Sequence, residues 1–119
     1  MNIEVYREYC LSKKGTVEEM PFGPDTLVFK VMGKIFSSSG LQRLPAQINL
    51  KCEPERAVAL REEYDGLIIP GYHMSKKHWN TLFLDSLSPK LIAELIDHSY
   101  DLVASKLPRK LRADLDALS

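Results

Sequence analysis

The chain has 119 residues, 45% apolar and 27% charged, the size and composition of one globular domain (residues 1–119) closing a single hydrophobic core. Sixteen basic and sixteen acidic residues give a formal net charge of zero, which excludes a uniformly basic nucleic-acid binder but leaves local patches open. No apolar run approaches the ~18 residues of a membrane span, and the charged N-terminal "MNIEVYREYCLSKKG" lacks the apolar centre of a signal peptide, so the expected compartment is the cytoplasm.

The opening segment predicts a helix. Asn2 can cap it, Val5, Tyr6, Tyr9 and Cys10 recur at helical spacing, and Gly15 supplies a left-handed stop. "TVEEMPFG" is short and extended, and Pro21 with Pro24 just beyond it suits an edge or a bend. "TLVFKVMGKIFSSS" has the pattern of a hairpin turning at Gly33, and "SSSGLQRLPA" has the composition of a loop. "QINLKC" alternates, with Ile48, Leu50 and Cys52 on one side and Gln47, Asn49 and Lys51 on the other. A strand with one wet face predicts an antiparallel sheet covered on its other face only.

"EPERAVALREEYDG" predicts a second helix, with Pro54 at its first position and Gly66 at its exit. "LIIP" and "NTLFLD" are two further strands. "SPKLIAELIDHSYDLVASKL" is the longest helix and "PRKLRADLDAL" the last. The order α-β-β-β-β-α-β-β-α-α describes an α+β fold: one antiparallel sheet of five to six strands with helices packed on one face.

Chemistry-bearing motifs are sparse. His73 and His78 are five apart and His98 lies on a helix, which is not the paired spacing of a zinc site, and no metal or cofactor is expected. Cys10 and Cys52 are lone thiols that read as small core residues. GxSxG, P-loop, GxGxxG and HExxH patterns are missing, Asp97 and His98 diverge on their helix, and no catalytic residues are expected.

The basic residues are segregated. Pro70 to Leu84 carries Lys76, Lys77, His73 and His78 without a carboxylate, and Leu102 to Arg112 carries Lys106, Arg109, Lys110 and Arg112 likewise. Arg109, Lys110 and Arg112 fall in the first turn of the last helix, where the helix dipole already favours an anion. A solvated turn neutralised by Asp97 or Asp101 is the plainer alternative. Tyr72 and Trp79 flank the lysine pair. Such aromatics can stack on bases, but a lone tryptophan entering a strand reads first as a core anchor.

Three stretches, "PFGPDTLVFKVMGKIF", "INLKCEPERAVALREEYDGLIIPGYHMSKKHWNTLFLD" and "ELIDHSYDLVASKLPRKLR", resemble the MmcQ/YjbR family of small bacterial proteins. The resemblance covers nearly the whole chain, and "NLKC" before Pro54 and "GYHMSKKHWNT" are its most specific parts. It implies a frataxin-like or secretion-chaperone-like fold, and DNA binding through a "double wing" of strands and hairpins. Carried over, the matched polar positions are Asn49, Lys51, His73, Lys76, His78, Asn80 and the Pro108–Arg109–Lys110 turn. "SSSGLQRLP" departs from the shorter, more polar connection the resemblance implies. The sequence-based expectation is therefore a DNA-binding protein. Lys51, Lys76, Lys77, Arg109, Lys110 and Arg112 would meet phosphates, with Asn49, Asn80 or Tyr72 nearer the bases. The alternatives are a protein-binding adaptor, marked by an exposed apolar sheet face or groove, and a small-molecule enzyme built on His73, His78 and Asp85.

Overall fold

A computed structural model describes residues 1–71 and 74–118. Tyr72, His73 and Ser119 lie outside the described residues. The elements are α1 (Ile3–Leu11), β1 (Thr16–Glu19), β2 (Thr26–Val31), β3 (Lys34–Gly40), β4 (Gln47–Lys51), α2 (Pro54–Glu63), β5 (Ile68–Pro70), β6 (Trp79–Phe83), α3 (Pro89–Ser105) and α4 (Arg109–Asp116). A short 3-10 turn, Leu84–Ser86, joins β6 to α3. The strands form one antiparallel sheet in the order β1-β2-β3-β4-β6-β5. Both the α+β class and the element order agree with the sequence.

Local chemistry explains the boundaries. The Asn2 side chain accepts the Val5 N–H at 2.8 Å to open α1, and Ser88 accepts that of Leu91 to open α3. Glu53 caps α2 through the N–H groups of Glu55 and Arg56, which hold its carboxyl below the usual carboxylate range. Between β2 and β3, Met32 (φ 48°) and Gly33 (φ 83°) form a two-residue turn in which both positions are left-handed.

The core lies between the sheet and the helices. Leu27, Phe29 and Val31 of β2, Ile48 and Leu50 of β4 and Leu82 of β6 meet Tyr6, Leu60, Ile92, Leu95, Ile96 and Leu115. The Tyr6 and Phe29 rings pack edge to face at 5.3 Å between centroids. Cys10 and Cys52 are both buried as free thiols, and burial pushes the Cys10 thiol up to about 12. Among the described residues no helix is long and apolar enough to cross a membrane.

One expectation is corrected. The serines read as the start of a loop continue β3, and Ser37, Ser38 and Ser39 are all buried. Composition suggested a loop because serine usually stays wet; here each hydroxyl has a partner. The Ser37 Oγ donates to the Asn49 carbonyl at 3.0 Å and lies 2.6 Å from the Tyr6 hydroxyl. Ser39 donates to the Gln47 carbonyl at 2.9 Å, and Ser38 accepts from the Asn49 side chain. A bulge accompanies them: Phe29 faces Ser37 and Lys30 faces Ile35, which leaves Phe36 without a cross-strand partner.

Two outcomes are expected. Tyr6→Phe removes one of the two bonds at the buried Ser37 hydroxyl, so urea unfolding should show a loss of about 1 kcal/mol with an unchanged m-value. His98 accepts the Glu53 N–H through Nε2, so it must be neutral on that nitrogen. Desolvation first, then the nearby Arg56, lower its pKa, against the opposing charges of Glu53 and Asp101. Between the lowered folded value and the unfolded value of about 6.5, the unfolded chain binds more protons. The His98 contribution is therefore complete above that window and declines as pH falls through it. Urea midpoints taken from about pH 7.5 to 5.5 should fall more in the parent than in His98→Gln, which keeps an acceptor that does not titrate.

Candidate functional site

The helices cover one face of the sheet, and loops partly wall the other. Along β2, positions 26, 28 and 30 point to this second face, opposite the core residues 27, 29 and 31. The cross-strand register carries the same parity across the sheet. Val28 lies beside Ser38, Ser38 beside Asn49, and Asn49 beside Thr81, which is followed by Ile69 on β5. The three polar members are bonded in series. The Asn49 Nδ2 donates to the Ser38 Oγ at 3.1 Å, and the Thr81 Oγ1 donates to the Asn49 Oδ1 at 2.6 Å. Ser38 is 8% exposed and Thr81 6%, so the centre of this face is sheltered.

Shelter comes from the loops. Phe22 from the β1–β2 connection, Arg43 from the β3–β4 connection and Met74 from the β5–β6 connection surround a cleft of about 320 Å³. Its floor includes Val28, Ser38 and Asn49, with Ile35 toward the Met74 end. The Arg43 side chain lies across Gly40, where an added Cβ would stand 3.3 Å from the Arg43 methylenes.

Next to the Asn49–Thr81 pair, Lys51 lies opposite Trp79 on the same face. Trp79 is half-buried and stands outside the core cluster, which corrects its expected role as a core anchor. The expectation failed on parity: β6 begins at Trp79, so the indole shares the face of Thr81 and Phe83, whereas Asn80 and Leu82 point inward. Close approach of the chain fixes the indole's base. The Gly71 N–H donates to the Trp79 carbonyl at 2.9 Å, and a Cβ at Gly71 would stand 3.0 Å from that of Trp79.

The proposed contact residues therefore separate. Lys51, Lys76, Lys77 and His78 gather around the start of β6. The His78 carbonyl accepts the Cys52 N–H at 2.7 Å, and the Lys76 carbonyl accepts from Arg61 at 3.3 Å. Lys77 borders an open hollow shared with Pro54, Glu55, Val58 and Arg61. Asn49 is on the same sheet face. Asn80 is corrected: it is 1% exposed and donates to the Ala57 carbonyl of α2, so no external ligand reaches it. Tyr72 and His73 fall outside the described residues.

Arg109, Lys110 and Arg112 are exposed on α4, in a different setting. Arg112 reaches the Ala104 carbonyl at 3.5 Å, Leu115 packs at Gly15, and Lys14 donates to the Asp116 carbonyl at 3.0 Å. These contacts hold α4 where β1 begins, whereas the 75–78 turn adjoins β6 and β5 at the other side of the sheet. β1 and β6 are four strand spacings apart, about 19 Å. Asp97, considered as a partner for the α4 cations, accepts from Tyr9 at 2.6 Å and pairs with Lys13. His78 and Asp85 flank β6 at opposite ends, about 20 Å of extended chain apart. Among the described residues no three His, Cys, Asp or Glu side chains are grouped as metal ligands.

Sequence reading missed the cleft. Phe22, Ile35, Arg43 and Met74 come from four separate segments, and only the alternation of β2 hinted that Val28 would face away from the core.

A six-stranded antiparallel sheet with helices on one face and loop-walled strands on the other defines an α+β domain of distinct type. A model of the YjbR family matches residues 11–102, and the chain belongs to that family, MmcQ/YjbR. It is 41% identical over 91 residues to the uncharacterized protein YbdF of Escherichia coli, covering 76% of this chain and 74% of that one. The uncharacterized protein YjbR of Escherichia coli is 32% identical over 114 residues, covering 94% and 95%. Among solved structures, Deinococcus radiodurans protein DR2400 superposes with a TM-score of 0.90 at 34% identity, covering 97% of this chain and 88% of that one. A Pseudomonas syringae protein superposes with a TM-score of 0.73 at 30% identity, covering 86% and 98%.

Proposed function

We propose that this chain is a cytoplasmic DNA-binding protein whose contact surface is the rim around the start of β6, running from Lys51 and Trp79 on the helix-free face to the 75–78 turn beside α2. One observation carries the reading: Lys51 and Trp79 are cross-strand neighbours on that face, and the 75–78 turn bearing Lys76 and Lys77 leads directly into them. A partly exposed indole beside cations offers a base a stacking surface and its phosphates a counter-charge. The platform favours single strands, because a stacked base must first leave its duplex. α4 is a separate cationic site and contributes little to this surface.

Binding is read by fluorescence anisotropy on a single-stranded oligonucleotide and its duplex. Three phosphate contacts on a single strand give a log–log salt slope of about −2. Lys51→Glu with Lys77→Glu should weaken binding at least about tenfold, and Trp79→Ala by about fivefold or more. Arg109→Glu with Arg112→Glu should leave it near the parent. Unchanged affinity in the Lys51, Lys77 variant removes the proposal.

A second reading, a protein-binding adaptor, is favoured by a different observation. Phe22 is 71% exposed and Leu44 90%, on neighbouring loops joined by the Leu41 N–H to Asp25 carbonyl bond of 2.7 Å. A partner held after nuclease treatment, lost with Phe22→Ser and Leu44→Ser but kept with Lys51→Glu, would support the adaptor and count against the DNA reading.

A further inference from the structure

The loop-walled cleft has a shape and chemistry that a DNA surface does not require. It runs along the strands. Gly40 and Arg43 stand at one end, Val28 and Asn49 at the middle, and Ile35 and Met74 at the other. From Gly40 to Ile35 the strand is about 16 Å long, so an occupant lying along it is narrow and extended. A volume of about 320 Å³ lies in the range of small-ligand sites.

The lining is polarised along this axis. Phe22, Val28, Ile35 and Met74 supply apolar surface. Among the described lining residues Arg43 carries the only formal charge and none is a carboxylate. The polar floor is fixed beforehand: Asn49 is held on both sides by Ser38 and Thr81, so its amide does not reorganise when a ligand arrives. Ser38 accepts from Asn49 through an oxygen that also carries an O–H able to donate, and it lines the cleft. A fixed donor floor, apolar walls and a guanidinium at one end together match one ligand class.

We infer that this cleft binds a small monocarboxylate with a slender apolar body, its carboxylate at Arg43 and its tail between Ile35 and Met74. A guanidinium suits a carboxylate because both are planar and can bond through two parallel N–H···O contacts. The tail gains by leaving water for the apolar walls. The inference stands apart from the DNA reading, since neither Lys51 nor Trp79 lines the cleft.

The test titrates octanoate into the full chain while ¹H–¹⁵N amide spectra are recorded, with 1-octanol and acetate as probes of tail and head alone. Octanoate should shift the amides of residues 26–28, 35–40 and 49 and saturate at millimolar concentration or below. Acetate and 1-octanol should each bind about tenfold more weakly or worse, and Arg43→Gln should cost about tenfold while leaving the rest of the spectrum unchanged. Val28→Trp, which fills the floor, should abolish the shifts. Equal binding of octanol and octanoate overturns the proposal. So do shifts confined to other parts of the chain, an Arg43→Gln variant that binds as the parent does, or no saturable shift at all.

Discussion

The arrangement of both sheet faces depends on one hydroxyl. Ser99, on α3, donates to the Phe36 carbonyl at 2.5 Å and accepts the Lys51 N–H at 2.9 Å. It thereby satisfies the end of β4 and the bulged segment of β3, at the place where these strands part. β3 and β4 pair through only Ser37–Leu50 and Ser38–Asn49. Beyond that point an acceptor and a donor would be buried without partners, at a cost of about 1–3 kcal/mol each. Ser99 is fully buried and meets both needs at once.

The bulge that Ser99 supports sets the parity of everything downstream on β3. Strict alternation from Ile35 would turn Ser37 outward and Ser38 inward. Instead Phe36 and Ser37 both face the core, and Ser38 emerges beside Asn49. Two hydrogen-bond systems follow from this single extra residue. Ser37 meets Tyr6 beneath the sheet, and Ser38 joins the Asn49–Thr81 series above it. The cleft floor is thus tied to the packing of α3 on the opposite face, with the backbone of β3 and β4 as the link.

Much of this architecture is written locally. The alternation of Gln47 to Cys52, the turn at Gly33, the cap at Asn2 and the helix-opening Pro54 each act within a few residues, so pattern alone exposes them. The run Ser37–Ser39 could not be read this way, because its partners Tyr6, Gln47 and Asn49 lie in other elements of the chain. Asn80 was half legible: Leu82, two residues on, is an evident core residue, and period two sends Asn80 to the same side. Trp79 turned on whether the strand began one residue earlier. The cleft walls come from connections whose shapes no short-range rule prescribes.

Charge illustrates the same division between chain order and space. The ion pairs Arg7–Glu18, Lys30–Glu19 and Lys13–Asp97 gather at α1 and β1 and on the helix beneath them. Arg7 holds the Glu18 carboxyl below its usual range, but exposed pairs of this kind add little stability and act chiefly to place their elements. Their effect on the helix-free face is indirect. Glu19, the carboxylate that projects beside Val28, is engaged by Lys30 at 2.8 Å, at the β1 margin. That pairing leaves two lanes of different character on either side of Asn49: an apolar one over β2 and β3 ending at Arg43, and an aromatic-cationic one where Lys51 meets Trp79. Asn49 belongs to both, since its amide floors the first and its strand carries Lys51 two residues on into the second. A ligand in the first lane rests on an amide already committed to Ser38 and Thr81, and that bonded series stands between it and the Lys51–Trp79 pair.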